Sequence, residues 1–296
     1  MDQTVDIKTI NLNGQLIRVA IRTGRMNSTP LLMCNGIGAS LELVLPFLTA
    51  LHPDQAVIAF DVPGVGGSPT PLMPYRFAGL AHTVSQMLDA LDCGQVDVIG
   101  LSWGGFLAQQ FAHDYPHRCR KLILAATSAG LRSIPPSPRV LTLMASPRRY
   151  TDPEYAASIA PEIYGGKFRT DPALAASHAK KMKDDKAAAK KDWTGTLGYY
   201  YQIGAVYWWT SYYLLPQIKQ PTLVLAGNDD PLIPLRNMRT LAKRIPNAEL
   251  HVFDDGHLFL LTSLEEVLPI ITDFLDNAVA HPQATPGRLP RMSVAC

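Results

Sequence analysis

Short, predominantly apolar runs recur along this chain, at residues 31–34, 56–60, 96–100, 122–126, 222–226 and 250–253. A strand that is apolar on both faces has to be covered on both faces, which is the condition of a parallel sheet packed between helical layers. Residues 43–51, 77–91, 104–115 and 238–245, lying between the runs, repeat apolar positions at the helical period. Strand and helix in alternation predict a doubly wound α/β domain with a mostly parallel sheet. Ahead of it, residues 5–10 and 15–21 alternate apolar and polar side chains around Asn13-Gly14, the signature of a hairpin closed by a type I′ turn.

One connection is far longer than a crossover needs. The stretch from Ser128 to Gln220 has a character of its own: proline-rich at 134–138, a charge run from Lys180 to Asp192, then an aromatic run. That last run holds Trp193, Tyr199, Tyr200, Tyr201, Tyr207, Trp208, Trp209, Tyr212 and Tyr213. We expect residues 1–128 and 220–278 to form the core and 129–219 a helical cap inserted into it. The cap's aromatics could fill its own interior or line a greasy entrance to a site, with Trp208, Trp209 and Tyr212 as candidate substrate contacts. The charge run reads as a solvated helix face rather than a docking surface. After Ala278 the chain loses periodicity, so 279–296 is expected to be a flexible tail.

Composition narrows the function. Among 296 residues, 27 Lys+Arg stand against 25 Asp+Glu, a net charge of +2, with 47% apolar residues and only 18% charged. These values exclude intrinsic disorder and give no electrostatic reason to expect a nucleic-acid partner. The low charge also implies that part of the surface is apolar. The first residues, Met1-Asp2-Gln3-Thr4, do not resemble a secretory signal, and no uninterrupted apolar stretch is long enough to span a bilayer. Cys34, Cys93, Cys119 and Cys296 lie far apart and share no metal-ligand spacing, so they read as free thiols. A cytoplasmic protein without metal or organic cofactor is expected.

The chemistry sits at the strand ends. Gly100-Leu101-Ser102-Trp103-Gly104 matches G-x-S-x-G, in which a serine is placed on a tight turn between a strand and a helix. The glycines are there because side chains two residues to either side would collide with neighbouring strands. A serine hydroxyl is a weak nucleophile and needs a base, itself held by an acid, and here both should follow it in the chain. The acid comes from Gly227-Asn228-Asp229-Asp230-Pro231, after the run at 222–226. Asp230 is preferred, with Asp229 as its rival. Of the eight histidines, His257 alone follows a core strand downstream of the acid, through Asp254-Asp255-Gly256. The oxyanion hole is expected from the N–H of Trp103 and of Ile37, the latter in Asn35-Gly36-Ile37-Gly38, with Asn35 a candidate substrate contact. The glycine loop at 61–68 should frame the site.

These motifs resemble the α/β-hydrolase superfamily. A closer likeness runs over nearly the whole chain and includes cap segments such as Ile163-Tyr164-Gly165-Gly166. It is carried also by Leu101-Ser102-Trp103-Gly104-Gly105 and by residues 108–115, 144–150, 221–234 and 254–260. These are similar to intracellular medium-chain-length poly(3-hydroxyalkanoate) depolymerases of pseudomonads. The resemblance implies a serine esterase acting on storage polyester granules in the cytoplasm, with Ser102 as nucleophile, Asp230 as acid and His257 as base. A general carboxylesterase on soluble esters and a C–C bond hydrolase on ring-cleavage products would share the triad. A granule-binding module without catalysis would have no use for it. Dehalogenases and epoxide hydrolases place an aspartate where Ser102 stands.

Overall fold

The computed structural model describes residues 5–25, 28–146, 148–188 and 194–277. It opens with the hairpin, β1 (Asp6–Leu12) antiparallel to β2 (Gln15–Arg22), turned by Asn13 and Gly14 at φ 52° and 94°. Then follow β3 (Leu31–Cys34), α1 (Leu41–Ala50), β4 (Val57–Phe60), α2 (Phe77–Ala90), β5 (Val96–Leu101), α3 (Trp103–Asp114) and β6 (Cys119–Ala125). Six helices come next: α4 (Pro138–Ala145), α5 (Arg148–Thr151), α6 (Pro153–Tyr164), α7 (Lys167–Thr170), α8 (Pro172–Ala188) and α9 (Thr194–Val206). A 3-10 turn (Leu215–Gln217) leads to β7 (Thr222–Gly227), α10 (Leu235–Arg244), β8 (Ala248–Phe253), α11 (Phe259–Thr262) and α12 (Leu264–Asp276).

The strands form one eight-stranded sheet in the order β1-β2-β4-β3-β5-β6-β7-β8. The hairpin joins β4 antiparallel, and every pair from β4 to β8 is parallel. All residues of β3, β4, β5 and β7 are buried, because α2, α3 and α10 cover one face and α1, α11 and α12 the other. Phe77, Phe111 and Leu241 anchor the first layer, Phe47, Phe259 and Ile271 the second. The chain winds from β3 outward to β4, then returns to the other side of β3 as β5. That reversal leaves a crevice at the carboxyl ends of β3 and β5, the place where open α/β sheets keep their ligands.

Two strands start earlier than their apolar runs. In β6, Arg120 pairs with the buried Asp97 of β5, and the Lys121 ammonium donates to the carbonyls of Phe274, Leu275 and Asn277 at the end of α12. Lys121 is almost fully buried, which is tolerable only because its charge meets those helix-terminal carbonyls. In β8, an edge strand, Ala248 to Val252 are partly or well exposed, so Glu249 and His251 interrupt its apolar residues.

The long connection is helical. α6 packs on α4, α5, α7 and α8, and the segment carries small apolar clusters of its own around Val140, Ile159 and Ile163, and around Ala160, Phe168 and Ala175. Within the charge run, Lys180, Lys183 and Asp184 are exposed on α8; 189–192 and Trp193 fall outside the described residues, as does the tail 279–296. Among the described residues no helix is long and apolar enough to cross a membrane.

Candidate active site

Ser102 stands between β5 and α3 with φ 53° and ψ −117°, a conformation an L-residue adopts only when its surroundings enforce it. Hydrogen bonds from Ser102 N–H to Ala125 O (2.9 Å) and from Thr127 Oγ1 to Ser102 O (2.7 Å) provide that enforcement. A Cβ on Gly104 would lie 2.0 Å from Cys34 O and 2.5 Å from Asn35 O, at the end of β3. A Cβ on Gly100 would instead lie 2.6 Å from Gly104 O and Gly105 Cα and 2.7 Å from the Ala108 side chain. So one glycine gives room to the neighbouring strand end and the other to the first turns of α3.

Ser102, His257 and Asp230 form a hydrogen-bonded line. His257 Nε2 is 3.0 Å from Ser102 Oγ, and Nδ1 is 2.7 Å from Asp230 Oδ2. The second oxygen of Asp230 accepts from the N–H groups of Leu232 and Ile233, both at 2.8 Å, so the carboxylate is fixed at three points and buried with the imidazole. Asp229 points elsewhere. Its carboxylate accepts from Gly166 N–H (2.8 Å) and Arg169 Nε (2.7 Å) and is half exposed, tying the loop after β7 to the inserted helices.

The histidine is held by its backbone as well. His257 N–H donates to Tyr164 O (2.7 Å), and the corner Gly165-Gly166 lies so close to the His257 loop that a Cβ on Gly166 would meet Gly256 N at 1.9 Å. Asp255 fastens the same place. It accepts from Ser263 Oγ and Thr262 Oγ1 (2.6 Å each), Gly256 N–H (2.7 Å) and Lys167 N–H (3.0 Å). Burial pushes its carboxyl up, but those hydrogen bonds outweigh burial and hold it below the ordinary aspartate value.

The turn after β3 reaches the serine from the other side: a Cβ on Gly36 would be 3.8 Å from Ser102 Cβ. Gly36 O accepts from Ala39 N–H (3.2 Å), and Gly38 N–H donates to Gln202 Oε1 (2.7 Å), which brackets the Ile37 amide. Trp103 begins α3, where a helix N–H has no intrahelical acceptor.

Above Ser102 lies a cavity of about 670 Å³ including its open mouth. Leu43, Val44, Leu101, Met144, Leu232, Leu258 and Leu261 line it with Tyr164, His178, Arg149 and His257. Burial, with Lys181 and Arg149 nearby, lowers His178 to about 4, so its ring is neutral near pH 7. The aromatic candidates lie away from this lining. Trp209 packs between Phe77 and Phe106, with ring centroids 4.9 and 5.0 Å away, and donates to Gln110 Oε1. Tyr212 lies over the Arg244 guanidinium at 3.8 Å, and Trp208 is 74% exposed on the outer surface. Asn35 is buried beneath the Gly36 turn, its Nδ2 towards Ser40 O. The cavity takes its walls from the core at α1, the end of β5, the loop after β7 and the segment around α11, and from α4, α5, α6 and α8 of the insertion. In the sequence, Met144 and Tyr164 stand out only within runs that carry the family resemblance and His178 has no part, because a helical pattern does not say which face meets a cavity. Among the described residues no group of three His, Cys, Asp or Glu side chains could hold a metal ion.

Residues 29–264 match the model of the alpha/beta hydrolase fold family, and the chain belongs to that family. It is 59% identical over 291 residues to the poly(3-hydroxyalkanoate) depolymerase of Ectopseudomonas oleovorans, covering 97% of this chain and 100% of that one. A 2-hydroxymuconate semialdehyde hydrolase of Pseudomonas sp. strain CF600 is 29% identical over 91% of this chain and 95% of its own. Among solved structures, the meta-cleavage product hydrolase CumD of Pseudomonas fluorescens IP01 superposes with a TM-score of 0.75 at 20% identity, covering 91% of this chain and 97% of that one. The esterase EaEST of Exiguobacterium antarcticum gives 0.73 at 18%, covering 94% and 100%. At such identities the likeness is one of fold.

Proposed function

We propose that the protein is a serine esterase hydrolysing the ester bonds of medium-chain-length poly(3-hydroxyalkanoate). The observation that carries this reading is Ser102 Oγ within hydrogen-bond reach of His257 at the floor of an apolar cavity. The near full-length likeness to a polyester depolymerase supports the choice of substrate. His257 takes the proton of Ser102 as its oxygen attacks the ester carbonyl. Asp230 keeps the Nδ1–H tautomer and stabilises the imidazolium, while Ile37 and Trp103 N–H groups receive the oxyanion. His257 returns the proton to the leaving alkoxide. It then activates a water, which releases the hydroxy acid and restores Ser102. No metal or organic cofactor enters these steps.

Residues 129–219 act in this reading as the lid of a core built from 1–128 and 220–278. The lid closes the cavity with Met144, Arg149, Tyr164 and His178 over aliphatic walls that the core supplies from Leu43, Val44, Leu101, Leu232, Leu258 and Leu261, a lining suited to alkyl side chains. On its outside, Tyr200, Ile203, Tyr207 and Trp208 are exposed, an apolar strip that supports contact with the surface of a storage granule in the cytoplasm.

The test is to incubate the protein and its Ser102→Ala form with emulsified long-side-chain polyhydroxyalkanoate, short-side-chain polyester and soluble acyl esters. Clearing of the first by the wild type and not by Ser102→Ala is expected, with a loss of at least about 10³-fold. Turnover of soluble esters alone would leave a general esterase, and binding without turnover a granule-binding module.

A further inference from the structure

Gln202 lies in the last turns of α9, 164 residues from Gly38 and 99 from Trp103 along the chain, yet it bonds to both. Its side-chain Oε1 accepts the Gly38 N–H at 2.7 Å, and its main-chain carbonyl accepts the Trp103 indole N–H at 2.9 Å. The residue is fully buried, and its Nε2 has no hydrogen-bond partner among the described residues. A buried amide N–H without a partner is costly, so packing alone would favour an apolar side chain here.

What the Oε1 holds is the soft part of a turn. Residues 36 to 39 close a turn through Ala39 N–H to Gly36 O, and Gly38 sits at its third position with φ 68°. A positive φ at that position belongs to type II geometry, and with glycine there the central peptide can rotate towards type I at little cost. Accepting the N–H of that central peptide selects one orientation. The adjoining peptide carries the Ile37 N–H, and its carbonyl is fixed by Ala39. On the other arm, the indole bond holds Trp103, whose own amide begins α3 beside Ser102. α9 is set at the right height by a close backbone contact, Gly198 Cα against Gly64, where a Cβ on Gly198 would lie 2.0 Å from Gly64 O.

We infer that Gln202 is a positioning residue for the oxyanion hole, clasping the Gly36–Gly38 turn and Trp103 from α9. The inference rests on the esterase reading of the site. Donors aimed in advance at a developing oxyanion lower the barrier without strengthening ground-state binding, so the clasp acts on kcat rather than KM.

The experiment compares wild type, Gln202→Met and Trp103→Phe. Met keeps the volume and loses the Oε1 acceptor; Phe loses the indole donor and keeps the amide. For each, kcat and KM are measured on 4-nitrophenyl octanoate, together with the inhibition constant of an alkyl trifluoromethyl ketone, whose hemiketal oxygen occupies the oxyanion position, and of the product alcohol. Gln202→Met should lose about 10- to 100-fold in kcat with KM within about threefold. Ketone inhibition should weaken by the same factor, and alcohol inhibition should not change. Trp103→Phe should show the same pattern at a smaller size, and it decides the matter should Met at 202 prevent folding. Folded variants with wild-type kcat and ketone affinity, or a loss confined to KM, would overturn the inference alone. A wild type that neither hydrolyses the ester nor binds the ketone would overturn the esterase reading and this inference with it.

Discussion

At the scale of single residues, the decisive contrast is between two adjacent aspartates. Asp230 is buried with one oxygen on His257 and the other on two backbone amides, whereas Asp229 is half exposed and pairs with Arg169. Asp230→Asn should therefore lower kcat by about 10⁴-fold, because the amide favours the wrong imidazole tautomer. Asp229→Asn should leave kcat within about twofold and cost less than about 1 kcal/mol of stability, as an exposed ion pair does. Steady-state kinetics and chemical denaturation of the two variants test both statements. Ser102, His257 and the aspartate pair were legible because each follows a strand directly, so local pattern reports which end of the sheet it occupies. The sequence preferred Asp230 but kept Asp229 as its rival, since both follow the strand and only the direction of the loop, which turns Asp230 onto His257, separates them.

Among the elements, the strands announced themselves as apolar runs and α1, α2, α3 and α10 by their helical period, and even the early start of β6 has a simple cause: Arg120 and Lys121 are charged residues whose partners lie on β5 and α12. The inserted helices were harder, because a helix with apolar residues on several sides does not say which side meets a cavity. For α9 a signal existed. Gly198 and Ala205 flank Gln202 at helical spacing, so the stripe carrying Gln202 has small neighbours that allow a close approach. For α8 the measurable consequence is a pH dependence. His178 packs edge-on against Tyr164 and Phe168, with centroids 5.5 Å away, and its ring is lowered to about 4. An unfolded histidine titrates near ~6.5. Between the two values the unfolded chain binds a proton that the folded chain refuses, so stability declines as pH falls from ~6.5 towards 4. The loss reaches at most about 3 kcal/mol. His178→Phe should keep the packing and abolish that part of the decline. Thermal unfolding of both proteins between pH 7 and 4.5 should show a wild-type slope that the variant lacks.

For the whole molecule, the low charge fraction resolves into two places. Strands buried on both faces account for one, and the outer strip at Tyr200, Ile203, Tyr207 and Trp208 for the other. Trp208 is held there at φ 66° and followed by the bridge from Thr210 to Gly130. If that strip meets a granule, Tyr207→Ser with Trp208→Ser should slow the clearing of emulsified polymer by at least about tenfold. Turnover of soluble esters should stay within about twofold. Equal clearing by the variant would remove the strip from polymer contact. The sequence exposed the aromatic run but could not sort it, because inward and outward rings alternate within a few positions: Trp209 joins Phe77 and Phe106 while Trp208 faces out.

The corner at Gly165-Gly166 bears on how such an enzyme can be rebuilt. A lid joined to its core only where the chain enters and leaves could be exchanged between homologues like a cassette. The inserted helices here are also spliced into the His257 loop, through Tyr164 O on His257 N–H, Asp229 on Gly166 N–H and Asp255 on Lys167 N–H. Chimeras cut at the ends of the insertion would therefore shift the imidazole along with the pocket. A recombinant that transplants residues 164–167 together with 227–230 and 255–257 would keep the crossover points outside this hydrogen-bonded unit.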